Sequence, residues 1–406
     1  MTDKKTIAVF FGGRSPEHDV SVVTGLQVLQ AIDQSRFHAF PVYITTDGRW
    51  FTGDGLRERK NYIPDRTMLA GLREVTLDVN AGSAAGGVLL PRKVGLFGGG
   101  KPIRFDVAIP AFHGLFGEDG NLQGVFEIAK TPYTGMRTPA SAVTMDKALS
   151  KRLMQNLGIP TLPFALLRRP ESGYQIPPDE CAKQLEGLSF PVCVKPCHLG
   201  SSIGVAKCNT AEEVSACLPA IFKYDAAAIV EPFVENLIEY NVAVAKMGGQ
   251  IVTSAIERPK ASSELLDFKQ KYLSGGDANK SGQKMPGQSS EGMLSLTREL
   301  NPPLPPEAEG NIRRWASLFY EAVDGTGAPR IDFIGNSKTG EIWMNEINPC
   351  PGSFGYFLWE ASKERPILFT KFLTHLIEEA MVCAKSAAIP ADPVPMDARL
   401  HRRSTT

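Results

Sequence analysis

No run in this chain of 406 residues is apolar for long enough to cross a bilayer as a helix, which takes about 20 residues. There is no excess of either charge: 44 Lys and Arg balance 44 Asp and Glu. A neutral chain without long basic stretches offers no electrostatic footprint for nucleic acid or an anionic membrane, so neither is expected as a partner. Cysteine is scarce and odd in number. The seven stand at 181, 193, 197, 208, 217, 350 and 383, none in a CxxC pair. That pattern fits free thiols in a reducing cytoplasm rather than a disulfide framework. Met1 to Lys5 lead straight into an apolar strand and do not read as a signal peptide. No internal repeat is visible.

What is present is apolar material, 43% of the residues, in a chain long enough for two or three domains. The opening strand Thr6–Phe11 is followed by Gly12-Gly13-Arg14-Ser15, a helix from about Glu17 past Leu29, and a strand at Ala39–Ile44. Strand, glycine loop, helix and strand open an α/β unit with a parallel sheet, whose ligand belongs beyond the carboxyl ends of the strands. Asp106–Ala111 reads as a further strand, residues 50–105 as less regular, with short apolar pieces and hairpins. A helix is expected over Ala140–Leu157, stopped by Gly158 and Pro160. Strands follow at Phe190–Lys195, Ala226–Glu231, Tyr240–Lys246 and Gln250–Ile256, with helices over 306–323 and Ile367–Cys383. Residues 257–303 are polar and rich in Gly, Ser and Lys, and so long a loop in an enzyme is usually functional or disordered. Residues 385–406 read as a tail.

Three segments carry chemistry. The first is Arg330-Ile-Asp332, a turn between Gly335 and Gly340, then Glu346-Ile-Asn348. Two apolar strands joined by a turn set inward-facing side chains side by side, and Glu346 and Asn348, two apart, share a face. Asp332, Glu346 and Asn348 are then hard oxygen ligands gathered at one point, which suits Mg²⁺ with phosphate oxygens completing its shell. The second is Lys195, delivered by a strand into Gly200-Ser201-Ser202-Ile-Gly204. Small residues let backbone N–H groups approach phosphate oxygens, and the lysine adds a point charge. Its lysine precedes the glycines, so this is not a Walker loop, and taken alone it reads first as a plain tight turn. The third is His113-Gly-Leu-Phe-Gly117-Glu118-Asp119-Gly120-Asn-Leu-Gln123-Gly124, with four glycines and two acids. It reads as a backbone meeting a ligand, or as an acidic turn.

Together these segments resemble the D-alanine–D-alanine ligase family of the ATP-grasp superfamily. The His113–Gly124 segment is similar to the family's first signature, and Arg330 to Gly352 to its second. Gly12 to Ser21, Met145-Asp-Lys147 and the Lys195–Gly204 loop match as well, in the family's order. The resemblance implies an N-terminal doubly wound parallel-sheet domain followed by a two-subdomain ATP-grasp fold, α/β and α+β in class. Its boundaries are expected at 1–140, 141–232 and 233–384, with 257–303 a mobile loop closing over the site. The implied reaction is ATP-dependent ligation of two D-alanine molecules through an acyl phosphate, for peptidoglycan precursor synthesis. A different dipeptide product is the alternative.

The resemblance also implies roles. Asp332, Glu346 and Asn348 match the ligands of two Mg²⁺ ions, for which Mn²⁺ can substitute, with Glu346 bridging. Lys147 and Lys195 match the lysines on the ATP phosphates, Glu231 and Val234 the adenine contacts, and Glu239 the ribose acid. Glu17 matches the acid that fixes the first substrate's ammonium, with His113 nearby. Ser201 and Tyr272 match a hydrogen-bonded pair that orients the same subsite. Arg330 and the Gly352 N–H match the oxyanion donors, and Lys271 an acceptor-carboxylate partner. A homodimer is the expected assembly. The chain departs from the family after Gly352, where the stretch Ser353-Phe-Gly-Tyr-Phe-Leu358 is shorter. The hydroxyl expected on the acceptor carboxylate has no clear counterpart there; Ser353 is the only substitute at hand. Phe354, Tyr356 and Phe357 either welcome a bulkier apolar acceptor or pack in the core.

Overall fold

An unbroken apolar run such as Ile7–Phe11 needs cover on both faces, which a strand inside a parallel sheet obtains. The computed structural model describes residues 4–62, 71–80, 86–92, 100–201, 203–260, 298–389 and 394–399. There the run is the centre of β1 (Lys5–Gly12), and each of its five residues is wholly buried. Alternate side chains serve two cores, Ile7, Val9 and Phe11 one, Ala8 and Phe10 the other. The sheet continues with β2 (Phe37–Ile44), β3 (Trp50–Thr52), β4 (Arg73–Leu77), β5 (Gly87–Pro91), β6 (Ile103–Phe105) and β7 (Val107–Pro110). Its order is β6-β5-β4-β3-β2-β1-β7. Helix α1 (His18–Ala31) covers one face, and α2 (Asn121–Ile128) brings Phe126 against Phe10 on the other.

Only β2, β1 and β7 run parallel; β3 to β6 form an antiparallel meander. The expected hairpins of 50–105 thus widen a short parallel centre into a mixed sheet. The connection from Ile44 to Trp50 is too short for the crossover that a parallel neighbour needs.

The helix expected over Ala140–Leu157 is two helices, α3 (Thr138–Met145) and α4 (Lys147–Asn156). Asp146 breaks it with extended backbone (φ −92, ψ 107), and its carboxylate accepts from the Ala148 and Leu149 N–H groups. An N-cap aspartate satisfies donors that a continuous helix would have bonded to its own carbonyls. The break leaves Lys147 as the first residue of α4.

A second sheet holds β8 (Ala165–Arg168), β9 (Val192–Pro196), β10 (Ala206–Cys208) and β11 (Ala227–Pro232) in the order β10-β9-β11-β8, all pairs antiparallel. Helices α5 (Pro178–Gln184) and α6 (Ala211–Phe222) share its core. The third sheet holds β12 (Leu237–Met247), β13 (Gln250–Pro259), β14 (Arg298–Leu300), β15 (Arg330–Asn336) and β16 (Ile342–Asn348) in the order β14-β13-β12-β15-β16. One face packs on α7 (Pro306–Ala322) together with α3 and α4. The other packs on α8 (Tyr356–Glu360) and α9 (Phe369–Ser386), whose core is continuous with α1 and β1.

The long polar segment is narrower at its ends than 257–303. Glu257 to Pro259 continue β13, and Arg298 to Leu300 pair with them. Lys271 and Tyr272 lie outside the described residues.

Candidate active site

The acids of the third sheet meet because β15 and β16 are antiparallel neighbours. Asp332 stands opposite Glu346 and Arg330 opposite Asn348. Arg330 and Asp332 share a face, and the guanidinium grips the carboxylate with two hydrogen bonds of 2.6 Å each. Asn348 Nδ2 donates to Asp332 Oδ2 at 2.9 Å. The three oxygen-bearing side chains expected to hold magnesium therefore gather at one end of this strand pair. The donor set is carboxylate and amide oxygen without sulfur or imidazole, which fits a hard cation.

The lysines arrive from the second sheet and from α4. Lys147 Nζ donates to the Leu199 carbonyl at 2.6 Å and lies 3.4 Å from Glu346 Oε2. Lys195 on β9 donates to Glu231 Oε2 at 2.7 Å and to Asn345 Oδ1 at 3.3 Å. The second oxygen of Glu231 lies 2.5 Å from Lys151 Nζ, which also donates to Thr161 Oγ1 at 2.9 Å. Both Lys151 and Glu231 side chains are only 1% exposed. Burial opposes charge on Glu231, but the two ammonium groups outweigh it and hold the carboxyl down at about 2. Burial lowers Lys151, aided by the Lys195 charge, while for Lys195 the nearby acids prevail and raise it. One carboxylate between two ammonium groups leaves a surplus positive charge, an asset where polyphosphate must bind.

A third group forms around Glu17, at the start of α1. Ser201, in a left-handed conformation, donates its hydroxyl to Glu17 Oε1 across 184 residues of chain. Gly114, at φ +77, passes so close that an added Cβ would lie 2.6 Å from Glu17 Oε2; only glycine suits both the angle and the space. His113 Nε2 lies 2.8 Å from Thr24 Oγ1. Burial, with a smaller push from Arg330, lowers His113 to about 4, so the ring is neutral near pH 7.

Glu118 is buried beside this group. Its Oε2 accepts from the Gly114 N–H at 2.5 Å and its Oε1 from the Cys350 N–H at 2.9 Å, tying the first signature loop to the second. Burial, then the Glu17 charge, raises its carboxyl to about 8 against the pull of those N–H donors and Arg330. The folded chain therefore keeps a proton that the unfolded chain releases near its ordinary value of 4.5. Stability contributed by that proton is complete below pH 4.5 and falls as pH rises towards 8. Glu118→Gln is expected to flatten the decline, seen as a smaller drop in urea midpoint between pH 5 and 8 than in the parent chain. Equal slopes would contradict a proton held by Glu118.

The departing segment after Gly352 is a tight 3-10 turn, Gly352–Gly355, with Ser353 and Phe354 at φ +53 and +56. Ser353 donates its hydroxyl to Gln27 Oε1 and its N–H to Thr24 Oγ1, both on α1. The hydroxyl considered for the acceptor carboxylate is engaged by Gln27. Phe354 is buried, Tyr356 stacks on Phe369 at 4.7 Å, and the Phe357 ring lies 4.3 Å from the Arg298 guanidinium. Phe354 thus belongs to the core, and Tyr356 and Phe357, partly buried, pack against it. Val234 lies in the link from β11 to β12, and Glu239 sits on β12 opposite Ile334, both partly exposed.

Two buried ionisable groups beside the site, Lys151 and Glu118, are not among the expected site residues. Lys151 stands one helical turn after Lys147 on the same face, and that spacing was a usable signal. Its partner Glu231 was not visible as such, because the pair is made only by packing α4 on β11. Glu118 lay in a recognised motif, but no local signal marks it as buried.

Comparisons with known proteins point to a single family. The family model "D-ala D-ala ligase N-terminus" matches residues 6–136, and "D-ala D-ala ligase C-terminus" matches residues 153–378. The chain is 33% identical over 383 residues to D-alanine–D-alanine ligase A of Bradyrhizobium diazoefficiens, covering 94% of this chain and 96% of that one. It is 33% identical over 357 residues to D-alanine–D-alanine ligase of Thermosipho africanus, covering 88% of each. Among solved structures, the VanG D-Ala:D-Ser ligase from Enterococcus faecalis aligns with a TM-score of 0.71 and 27% identity, covering 93% of this chain and all (100%) of that one. The D-alanine-D-alanine ligase from Coxiella burnetii aligns at 0.73 and 24%, covering 95% and 96%, and bears on the fold alone. With both halves matched and a third of its residues shared along nearly its whole length, the chain belongs to the D-alanine–D-alanine ligase family.

Proposed function

We propose that this chain joins two D-alanine molecules at the expense of ATP, supplying D-alanyl-D-alanine for peptidoglycan precursors in the cytoplasm, as a homodimer. The observation that carries this reading is the 3.4 Å approach of Lys147 to Glu346. It sets a phosphate-binding lysine against a metal-binding acid, with Arg330 on the neighbouring strand.

The chemistry follows. A carboxylate is a poor electrophile, so a carboxylate oxygen of the first D-alanine attacks the γ-phosphorus of ATP. The bond from that phosphorus to the bridging oxygen breaks, and ADP leaves. The amine of the second D-alanine then attacks the acyl carbon. The bond from that carbon to the phosphate oxygen breaks, inorganic phosphate leaves, and one amine proton is lost. Negative charge spreads over phosphoryl and tetrahedral oxygens in both transition states, so preorganised cations and N–H donors lower both barriers. Lys147 and Lys195 hold the phosphates, and Arg330 and the Gly352 N–H face the oxyanion. Asp332, Glu346 and Asn348 would hold two Mg²⁺ ions, which supply charge neutralisation at the phosphoryl oxygens.

Glu17 takes the ammonium of the first D-alanine, with neutral His113 alongside, and Ser201 with Tyr272 fixes Glu17. Glu231 keeps Lys195 in place and with Val234 borders the adenine, while Glu239 takes the ribose. Lys271 pairs with the acceptor carboxylate. Residues 1–140, 141–232 and 233–384 act as three domains around ATP.

The test is phosphate release with ATP, Mg²⁺ and D-alanine as fixed donor, offering D-alanine, D-serine, D-lactate and bulkier D-amino acids together as acceptors. D-Alanyl-D-alanine is expected to dominate the products by mass spectrometry, because Phe354 is buried and Tyr356 and Phe357 pack against the same core. A different dominant dipeptide would retain the ligase chemistry and overturn the acceptor.

A further inference from the structure

Beside Lys147, and apart from the oxygen ligands on β15 and β16, three side chains of different chemistry converge. They are Asp146 before α4, and Cys197 and His198 after β9. Their carboxylate, thiol and imidazole atoms all lie within 4.8 Å of one another. Cys197 Sγ donates to Asp146 Oδ1 at 3.3 Å, and His198 Nε2 lies 3.3 Å from Asp146 Oδ2. Ligands around a tetrahedral zinc ion, with bonds of about 2.3 Å to sulfur and about 2.0 Å to nitrogen and oxygen, sit roughly 3.3–3.6 Å apart. The separations of sulfur and imidazole from the two Asp146 oxygens fall in that range, and the three groups lie close enough, all within 4.8 Å, to close on one ion.

The orientation of the ring is a second, independent observation. His198 Nδ1 lies 2.8 Å from Asp225 Oδ1, and Asp225 Oδ2 accepts from the His198 N–H at 2.7 Å. The Asp225 side chain is only 3% exposed. A carboxylate on the far nitrogen is the usual support of a metal-bound histidine, because it fixes the tautomer and aims the other nitrogen at the ion. Cys197 is buried, but the Asp146 and His198 side chains are 22% and 35% exposed, so the cluster opens to solvent on their side.

We infer that Asp146, Cys197 and His198 form a binding site for a borderline-soft divalent cation of the zinc class. Asp225 orients the histidine, and water fills the fourth position. Binding displaces the Cys197 thiol proton and any proton shared between His198 Nε2 and Asp146, so the ion enters as protons leave. The sulfur and imidazole ligands separate this site from the oxygen set of Asp332, Glu346 and Asn348. The inference does not rest on the proposed ligase reaction.

Cobalt(II) is the probe, added to the dialysed full chain in saturating Mg²⁺. One equivalent is expected to bind with a thiolate-to-cobalt charge-transfer band in the near ultraviolet, bleached by one equivalent of Zn²⁺. Cys197→Ser should abolish the band. His198→Gln should weaken binding at least tenfold, and Asp225→Asn, which keeps all three ligands, by about 10–100-fold. Absence of the band in the parent chain overturns the assignment. So does a band that survives in Cys197→Ser, which would place the ion on other thiols such as Cys208 and Cys217, 3.8 Å apart. Should Cys197→Ser fail to fold, unchanged affinity in His198→Gln overturns it equally.

Discussion

Glu346→Gln is expected to lower turnover by at least about a thousandfold while leaving the chain folded, on the scale for losing charge stabilisation at a reacting phosphoryl group. The substitution is nearly isosteric, and Glu346 is partly exposed on β16, so the sheet loses no buried packing. What disappears is negative charge at the point where Asp332, Asn348 and Lys147 converge. A neutral amide there would no longer balance the Lys147 ammonium or, under the proposed function, carry the charge that holds magnesium. The measurement is ADP release across a Mg²⁺ titration, beside the urea midpoint of parent and variant. A folded variant that turns over near the parent rate would remove Glu346 from the metal site, and the ligand set with it.

Glu231→Gln should act on stability first. Its carboxylate is wholly buried between Lys151 and Lys195, at 2.5 and 2.7 Å. Removing one partner of a buried ion pair costs about 3–5 kcal/mol, because the remaining charge stays desolvated without compensation. Here two ammonium groups lose the same partner. The deficit should shrink at high pH, since burial already lowers Lys151 and its proton can leave. Loss of the anchor should also raise the KM for ATP, because Lys195 would lose its 2.7 Å hold on the Glu231 carboxylate and keep only the 3.3 Å contact with Asn345. Urea unfolding at pH 7 and pH 10, with ATP kinetics on the folded fraction, reads both effects. An unchanged midpoint at pH 7 would mean that the triad contributes nothing net to the fold.

Local spacing explains why much of the site was legible in the sequence. Asp332 and Glu346 lie on strands joined by a short turn, so their meeting needs only a hairpin and the period of two. Lys195 ends an apolar strand beside a small-residue loop, and Gly114 marks a place where backbone must pass close to another group. These are constraints of chemistry on neighbouring residues. The meander over 50–105 was less legible, since β3 and β6 are only three residues long and carry little periodicity. The break at Asp146 has no mark in residue type beyond a single aspartate, and only the capping geometry separates α3 from α4.

The sequence by itself determined the central strand at Ile7–Phe11, the acid pair on β15 and β16, and the small-residue loop after Lys195, because each depends on side chains a few positions apart. Tertiary structure alone decided which distant groups share a buried space. Ser201 reaches Glu17 across 184 residues, Lys195 reaches Asn345 across 150, and Cys350 meets Glu118 across 232. It also decided that Phe354 enters the core, with Tyr356 and Phe357 packed against it, and that Ser353 answers to Gln27. Such pairings follow from how three sheets and their helices bury apolar area against one another, a long-range outcome that residue type and spacing do not encode. Burial then sets the electrostatics: the same carboxyl group is held near 2 between two lysines at Glu231 and raised to about 8 beside Glu17 at Glu118.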